Sequence, residues 1–325
     1  MHIGDLSAHS CRREGRNETG TNLASNDAWV VDAERVASGI RRRVLEHVLK
    51  NGEGYLSQAC SSAEIFAMLY TRTLRLAPLA APLRPEPFNG VPGPRNPGYA
   101  TGGAFNGPRG PSLDRFIFSP AHYALALYAA LIEVGRLSAD ALDDFNRDGS
   151  TVEMIGAEHS PGIELTTGSL AQALSQAAGI AAARRMRGEA GRVWVMMSDG
   201  EFEEGQTWEA LASAAFHHLD NLRVVVDANG QQCDGEVCCV TLLEPLAERV
   251  RAFGVSVDEV DGHDLRALDE AMARPSMAPH VVIARTDPVR GVPLLAERAP
   301  LLHTLRLTTP EDRARYQAAY EAMQR

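Results

Sequence analysis

The chain has 325 residues and a hydrophobic content of 45%, which suffices for one large or two ordinary domains and excludes wholesale disorder. Its formal net charge of −10 at pH 7 argues against nucleic acid or an anionic membrane as the main partner. Lys50 is the only lysine, which disfavours enzymes with a Schiff-base lysine and Walker-type phosphate loops.

The cysteines predict neither a disulfide framework nor a zinc site, because their number is odd and they show no CxxC spacing. They are Cys11, Cys60, Cys233, Cys238 and Cys239. The N-terminus has no apolar run typical of a signal peptide, and no stretch reaches the roughly 18 apolar residues of a membrane span. We therefore expect a cytoplasmic protein with neither a nucleic-acid nor a membrane partner.

The first third of the chain predicts two helices and an irregular segment. Residues 1–27 are polar and aperiodic, which predicts a disordered tail. An apolar helical pattern covers 27–49, and the Ser-Ser-Ala-Glu run at 61–64 is a capping box that predicts the start of a second helix. Residues 77–112 contain half of the 18 prolines and no periodicity, which is typical of a lid or a disordered insert.

From residue 114 onward, helical patterns alternate with short runs of β-branched residues. The helices are predicted at about 120–135, 169–187, 205–218, 244–253 and 264–273. The strands are predicted at Val193–Met197, Leu222–Val226, Val255–Val260 and Val281–Ala284. Buried strands separated by helices predict a doubly wound, mostly parallel α/β sheet with helices on both faces. We therefore predict one α/β domain over 28–325.

Polar residues directly follow two of these strands. The run Ser-Asp-Gly-Glu occupies 198–201 and the run Asp-Ala-Asn-Gly-Gln occupies 227–231, with room between them for one crossover helix. Asp199 and Asn229 should then lie at neighbouring strand ends, where doubly wound sheets bind ligands. A carboxylate and an amide oxygen are suitable ligands for Mg²⁺ or Ca²⁺. Phosphate oxygens of a bound ligand could complete the coordination shell of the metal. The alternative is that both runs are ordinary turns.

The sequence around these runs resembles the transketolase family. An Asp-Gly turn, one crossover and a strand-end Asn are similar to the thiamine diphosphate motif, and residues 198–210 and 218–222 are similar to transketolases in particular. Residues 115–122 resemble the family's Ser-x-Gly-His segment, and 161–170 resemble its Pro-Gly-(Val/Ile)-Glu-x-(Thr/Ser)-Thr-Gly segment. The similarity covers about 28–310 and implies the thiamine diphosphate-binding fold.

The resemblance implies a cofactor site of thiamine diphosphate with Mg²⁺ (or Ca²⁺). Asp199 and Asn229 would be side-chain ligands of the metal, and Gln231 would offer its backbone carbonyl. The expected cofactor-binding residues are Gly168, Ser169, Leu170, Asp199, Gly200, Glu201, Asn229 and His303. Glu201 is equally well explained as a solvated acidic residue before a helix, and Ala171 replaces one of the family's usual glycines.

Three residues are the expected catalytic group on the substrate side. His122 matches a histidine that lines the substrate and thiazolium end of the family's cleft, although a polar helix cap is the alternative. His303 falls where the family has a histidine near the diphosphate. Tyr55 follows Gly54 at a position where the family has a substrate-handling histidine, so we expect an altered substrate specificity.

Five further residues receive assignments outside this group. Glu204 and Glu209 match acidic positions at the family's subunit interface, with a structural salt bridge as the alternative. His263 is predicted to be structural, with Asp264 capping the following helix. His159 is a candidate for entering the cleft.

The similarity ends after a first domain, since full transketolases are about twice this length. We therefore interpret the chain as the diphosphate-binding subunit of a split transketolase-like transferase. Its partner would be a second subunit that carries the pyrimidine-binding and C-terminal domains, together forming a heterotetramer. The expected reaction transfers a two-carbon ketol or acyl unit from a ketose to an unknown acceptor. The altered histidines favour a specialised acceptor, such as one of secondary metabolism, over the pentose phosphate pathway. Two alternatives remain: the α-subunit of a 2-oxo-acid dehydrogenase, and a non-catalytic binding subunit that retained the fold.

Overall fold

The computed structural model describes residues 27–324. The predicted disordered tail lies outside these residues except for Asp27, which precedes the first helix and forms an ion pair with Arg266. The α-helices are α1 (Ala28–Asn51), α2 (Leu56–Met68), α3 (Ala124–Glu133), α4 (Gln172–Met186), α5 (Gly205–Phe216), α6 (Val237–Val240), α7 (Leu246–Ala252), α8 (Leu265–Ala273) and α9 (Pro310–Ala322).

A five-stranded parallel sheet forms the centre of the fold. The strands of the described residues, inside and outside this sheet, are β1 (Glu53–Gly54), β2 (Arg115–Phe118), β3 (Val193–Ser198), β4 (Leu222–Ala228), β5 (Gln231–Gln232), β6 (Gly235–Glu236), β7 (Ser256–Asp261), β8 (His280–Arg285) and β9 (Leu305–Arg306). The order in the main sheet is β2-β3-β4-β8-β7, with every neighbouring pair parallel. Two short antiparallel pairs, β1 with β9 and β5 with β6, lie outside it.

Helices cover both faces of the sheet, because side chains alternate between two apolar cores. On β3, Trp194 and Met196 belong to the core that contains α1, α2 and α3. Val195 and Met197 belong to the core that contains α4 and α5. This arrangement confirms the predicted doubly wound α/β fold, in which inner strands such as β3 and β4 bury residues on both sides.

The prediction for the second helix was wrong in its starting point. Helix α2 begins at Leu56, and the apparent capping box lies in its buried interior. Ser61 Oγ donates a hydrogen bond to Asp227 Oδ2 (2.5 Å), and Glu64 accepts one from Arg41 (2.5 Å). The short strand β2 was not predicted either. Tertiary contacts with β4 and with α1 therefore determine what these polar residues do.

The insert at 77–112 runs along the surface and contains one 3₁₀ turn, Gly102–Asn106. Backbone contacts hold it at several points: Leu83 forms a parallel bridge with Leu137, and Phe88 N donates to Gly149 O (2.9 Å). Its end leads into β2. The insert is thus fastened to the loops that precede α4.

The only lysine, Lys50, lies in the last turn of α1 and forms an exposed ion pair with Asp143 (2.5 Å). Exposed ion pairs of this type contribute about 0–1 kcal/mol to the free energy of unfolding. Between Asp27 and Gln324, no helix has both the length and the apolar character needed to cross a bilayer.

We predict that Gly102→Ala destabilises the fold, whereas Gly98→Ala in the same insert does not. A Cβ atom on Gly102 would lie 1.7 Å from Ser160 O and 2.7 Å from Ile163 O, both of which are backbone atoms that cannot move freely. A Cβ on Gly98 would meet nothing within 4 Å. Denaturant unfolding should show a loss of about 1–3 kcal/mol for Gly102→Ala alone. Equal stabilities of the two variants would contradict this packing.

Candidate active site

Two neighbouring strand ends bring Asp199 and Asn229 together. Strands β3 and β4 pair in parallel with Ser198 opposite Asp227, so the residues that follow them emerge at the same edge of the sheet. Asp199 Oδ2 accepts a hydrogen bond from Gly230 N (2.7 Å), and its Oδ1 accepts one from its neighbour's N–H (2.9 Å). The two loops are therefore joined directly at the carboxylate.

The carboxamide of Asn229 is oriented by its surroundings. Its Nδ2 donates to Tyr123 OH (3.0 Å) and Ser61 Oγ (3.2 Å), with Asp227 Oδ2 at 3.4 Å. Its Oδ1 accepts from Gln231 N (2.9 Å). Since the donors of the amide face the protein interior, its oxygen is the atom presented on the loop side of the site.

Asp199 lacks a counter-charge. It is 5% exposed, and no cationic side chain within residues 27–324 forms an ion pair with it. Burial raises the pKa of Asp199 to about 7, against the N–H donor of Gly230, and Asp227 adds to the rise. A buried carboxylate without a cationic partner is costly, so the site fits a bound cation.

A cavity of about 330 Å³ adjoins these groups. Asp199, Asn229 and Gln231 line it together with residues of α6 and the segment before α7. Gln231 Oε1 is buried and has no hydrogen-bond partner. An orphaned acceptor beside an uncompensated carboxylate is the chemistry expected where a ligand or cation completes the structure. The residues present therefore fit a divalent metal.

Glu201 is fully buried, so the interpretation as a solvated residue was wrong. Its carboxylate accepts hydrogen bonds from Ala171 N (2.9 Å), Ser198 N (2.9 Å) and the hydroxyl of Ser119. With Ser198 it forms a capping box for the 3₁₀ turn Asp199–Glu203. Burial raises its pKa, which these donors oppose. In this arrangement Glu201 supports the loop and exposes no atom to a ligand.

The predicted diphosphate segment lies exposed before α4. Gly168, Ser169 and Leu170 are all exposed, and a Cβ on Gly168 would lie 2.2 Å from Ile155 O, so no larger residue fits there. The preceding threonine is tied to the end of β2, since its hydroxyl donates to the carbonyl of residue 118 (2.6 Å). Ala171 adopts a left-handed conformation with φ of 66°, which glycine adopts more easily. The segment thus lies at the same edge of the sheet as Asp199.

The three predicted catalytic residues form one ring cluster. The rings of His122 and His303 are 4.9 Å apart between centroids, and Tyr55 lies 5.4 Å from His303 and 6.4 Å from His122. Tyr55 precedes α2, and His122 lies in a 3₁₀ turn before α3. Gln58 Nε2 contacts both His303 Nδ1 (3.2 Å) and His303 O (3.1 Å). Three segments far apart in sequence therefore meet here.

Both histidines of the ring cluster favour the neutral form. Burial, aided by His303, lowers the pKa of His122 to about 3. Burial also lowers the pKa of His303, while Asp234 opposes this. The amide nitrogen Nε2 of Gln58 can only donate, so Nδ1 of His303 is the acceptor of this hydrogen bond. The neutral imidazole of His303 therefore carries its proton on its other nitrogen, His303 Nε2. The cluster offers neutral hydrogen-bonding groups to a ligand.

His263 belongs to a buried structural network, as predicted. Its Nδ1 contacts Glu64 Oε2 (2.9 Å), and its Nε2 accepts from Asp287 N (2.8 Å). Asp264 caps α8 by accepting from the backbone N–H groups of Arg266 (2.9 Å) and the next residue. The network ties α2 to the loops after β7 and β8.

The remaining candidates lie apart from the ring cluster. His159 contacts the ring of Phe88 in the insert, with centroids 4.7 Å apart, and lies 3.4 Å from Glu153. Glu204 and Glu209 are exposed, and neither forms an ion pair with another described residue. Their interface role stays a prediction.

The sequence did not identify the groups that orient Asn229. Asp227 is fully buried, and Thr286 and Ser61 donate to its carboxylate through their hydroxyls. Its position two residues before Asn229, on the same side of the strand, was an available signal. The hydrogen bond between Asn229 and Tyr123 could not be predicted from the sequence, because the two residues lie far apart along the chain.

Comparison with known proteins identifies the family. Residues 105–303 match the family described as transketolase, thiamine diphosphate binding domain. The chain belongs to the transketolase family. A transketolase family protein of Sinorhizobium fredii is 36% identical over 79% of this chain and 86% of its own length. The 6-deoxy-6-sulfo-D-fructose transketolase subunit of a Clostridium species is 32% identical over 86% of this chain and 92% of its own length.

A third relative agrees with this family assignment, and solved structures share the fold. An apulose-4-phosphate transketolase subunit of Actinobacillus succinogenes is 34% identical over 59% of this chain and 71% of its own length. Transketolase of Campylobacter jejuni has the same fold, with a TM-score of 0.64 at 21% identity over 90% of this chain. The match covers 47% of that structure, so this transketolase-family chain spans about half the length of the solved transketolases. It is a transketolase-type subunit with the thiamine diphosphate-binding domain.

We predict that His122 stays neutral in the folded chain down to about pH 5. Its pKa lies near 3, whereas an unfolded histidine takes up a proton near pH 6.5. For the same reason, the free energy of unfolding should decrease as the pH falls below about 6.5. Nitrogen shifts of ¹⁵N-labelled histidine report the protonation state, and His122→Gln assigns the resonance. A His122 signal that titrates between pH 6 and 7 would contradict the prediction.

Proposed function

We propose that this chain is the diphosphate-binding subunit of a two-component transketolase-like transferase that requires thiamine diphosphate and Mg²⁺ (or Ca²⁺). Its reaction would transfer a two-carbon ketol unit, or a related acyl unit, from a ketose to an acceptor. The observation that carries the proposal is the buried, uncompensated carboxylate of Asp199 at the strand end next to Asn229. Family membership supports the cofactor.

The chain's own residues divide the work of holding the cofactor. Asp199 and Asn229 would bind the metal with their side chains and Gln231 with its carbonyl, because these oxygen atoms suit a hard cation. The exposed segment 168–170 and His303 would contact the diphosphate. Thiamine diphosphate, when bound, supplies the nucleophile that breaks and forms carbon–carbon bonds next to a carbonyl.

The ring cluster would act on the sugar. His122 and His303 are neutral, so they can donate to or accept from substrate hydroxyl and carbonyl groups without the cost of burying a charge. Tyr55 adds a phenol to this wall and also lines a cavity of about 260 Å³. A tyrosine at a substrate-handling position supports a specialised substrate, such as one of secondary metabolism.

A second subunit would complete the site. Two relatives that this chain matches over most of their length carry the word subunit in their names. In the transketolases that this chain resembles, a glutamate lies beside the cofactor's aminopyrimidine, and we assign this acid to the partner subunit. The assembly would be a heterotetramer with two sites between unlike chains. The cytoplasmic location stays a prediction from the sequence.

We predict that Asp199→Asn weakens Mg²⁺-dependent binding of thiamine diphosphate on the order of 100-fold or more, because it removes the full charge that the chain gives the metal. Calorimetry with the partner subunit present measures this affinity. Glu203→Gln is the matched control, since it removes an exposed carboxylate from the same turn. Wild-type affinity in Asp199→Asn would refute the metal assignment.

We predict that the chain alone shows no ketol transfer and that adding a candidate partner, chosen from the adjacent reading frame, restores turnover. A cleft with one wall stays open to water, which weakens the contacts that hold a reacting sugar. Light scattering should show a particle about four times the monomer mass. Turnover of pyruvate but not of ketose phosphates would indicate the 2-oxo-acid dehydrogenase alternative. Ketol transfer by the chain alone would exclude the two-component arrangement.

We predict that Tyr55→His raises kcat/KM on xylulose 5-phosphate by about tenfold or more, because it restores the imidazole that the family has at this substrate-handling position and that can hydrogen-bond a sugar hydroxyl. Tyr55→Phe is the control, since it keeps the ring contacts with His122 and His303 and adds no imidazole. If both variants behave alike, Tyr55 acts through packing.

A further inference from the structure

A second group of metal-binding side chains lies beside the candidate active site. Glu236, Cys238 and Cys239 place one ligand atom each within 4.8 Å of one another, and all three side chains are exposed. Among the described residues, it is the one cluster of at least three His, Cys, Asp or Glu side chains with this geometry. Cysteine spacing gave no signal of it, because the third ligand is a carboxylate.

The backbone holds these residues in place. Strands β5 and β6 form a hairpin in which Gln231 lies opposite Glu236, and Gly235, which directly follows the two-residue turn, has a φ of 127°. Val237 N donates to Gly230 O (2.9 Å), which fixes the start of α6 against the loop after β4. The ligand atoms thus come from a short segment whose start is tied to the loop after β4, which lowers the ordering that a bound cation requires.

The chemistry of the group differs from that of the Asp199 site. Cys238 Sγ lies 3.6 Å from Glu236 Oε2, within the range of a weak thiol donor. The neighbouring thiol of Cys239, together with the carboxylate of Glu236, raises the pKa of Cys238. Two sulfur atoms and one carboxylate form the donor set of zinc-like cations, whereas Mg²⁺ prefers oxygen alone.

We propose that Glu236, Cys238 and Cys239 form a binding site for a thiophilic divalent cation of the zinc class, distinct from the Mg²⁺ site. The cation takes two thiolates and one carboxylate, and water fills the fourth position. Binding releases two thiol protons to solvent, so the affinity increases with pH. Glu236 and Cys238 line the same cavity as Asp199 and Asn229, which puts this cation at the cleft mouth.

Titration of the reduced full-length chain with Cd²⁺ tests the proposal. Cys11→Ser and Cys233→Ser form the background, because they remove thiols outside the group, while Cys60 is buried with its pKa raised to about 12. Thiolate-to-metal absorbance should saturate at one Cd²⁺ per chain, and Zn²⁺ should displace it. Mg²⁺ in excess should not compete.

Variants of the group provide the controls. Cys238→Ser and Cys239→Ser should each lower the Cd²⁺ affinity by at least about tenfold. Glu236→Gln should weaken binding and keep the thiolate absorbance, whereas Asp234→Asn, an exposed carboxylate of the same hairpin, should change nothing. Circular dichroism verifies that each variant is folded. Unsaturable binding, unchanged affinity in either serine variant, or an equal loss in Asp234→Asn would overturn the proposal.

Discussion

The hydrogen bond from Gly230 N to Asp199 Oδ2 is the contact on which the site depends. It joins the loops after β3 and β4 and satisfies part of a carboxylate that the fold has removed from water. The rest of that carboxylate has no cationic partner among the described residues. The donors to this carboxylate are neutral backbone N–H groups, which offset only part of the cost of its burial.

Support for this contact extends deep into the domain. Asn229 is held by Tyr123 from the segment before α3 and by Ser61 from the middle of α2. Behind them, Asp227 links α2 to the end of β8 through Thr286. The site is therefore positioned by helices packed on one face of the sheet, while the turn at Glu201 fastens it to α4 on the other face. Rigid elements on both faces reduce the freedom of the loops between them.

Much of this architecture could be predicted from the sequence. An apolar run such as Val193–Met197 fits only a buried strand, and a polar residue that directly follows such a strand must lie at the carboxyl edge of the sheet. The pattern Ser-x-x-Glu shows the limit of local reasoning. At 198–201 it forms a capping box, and at 61–64 it lies inside a helix whose serine bonds to a distant aspartate. Only the packing of α2 against β4 distinguishes the two. The ring cluster was predicted residue by residue from resemblance, but its mutual contacts depend on tertiary structure.

The single lysine also has a practical side. Lys50 is exposed, pairs with Asp143 and lies five residues before Tyr55 in the segment that enters the ring cluster. Amine-directed reagents thus find one side-chain target on this chain. A fluorophore can therefore be attached near the start of α2 without engineered cysteines, which spares the thiols of the hairpin from labelling. Lys50 is therefore a natural single attachment site for a spectroscopic reporter.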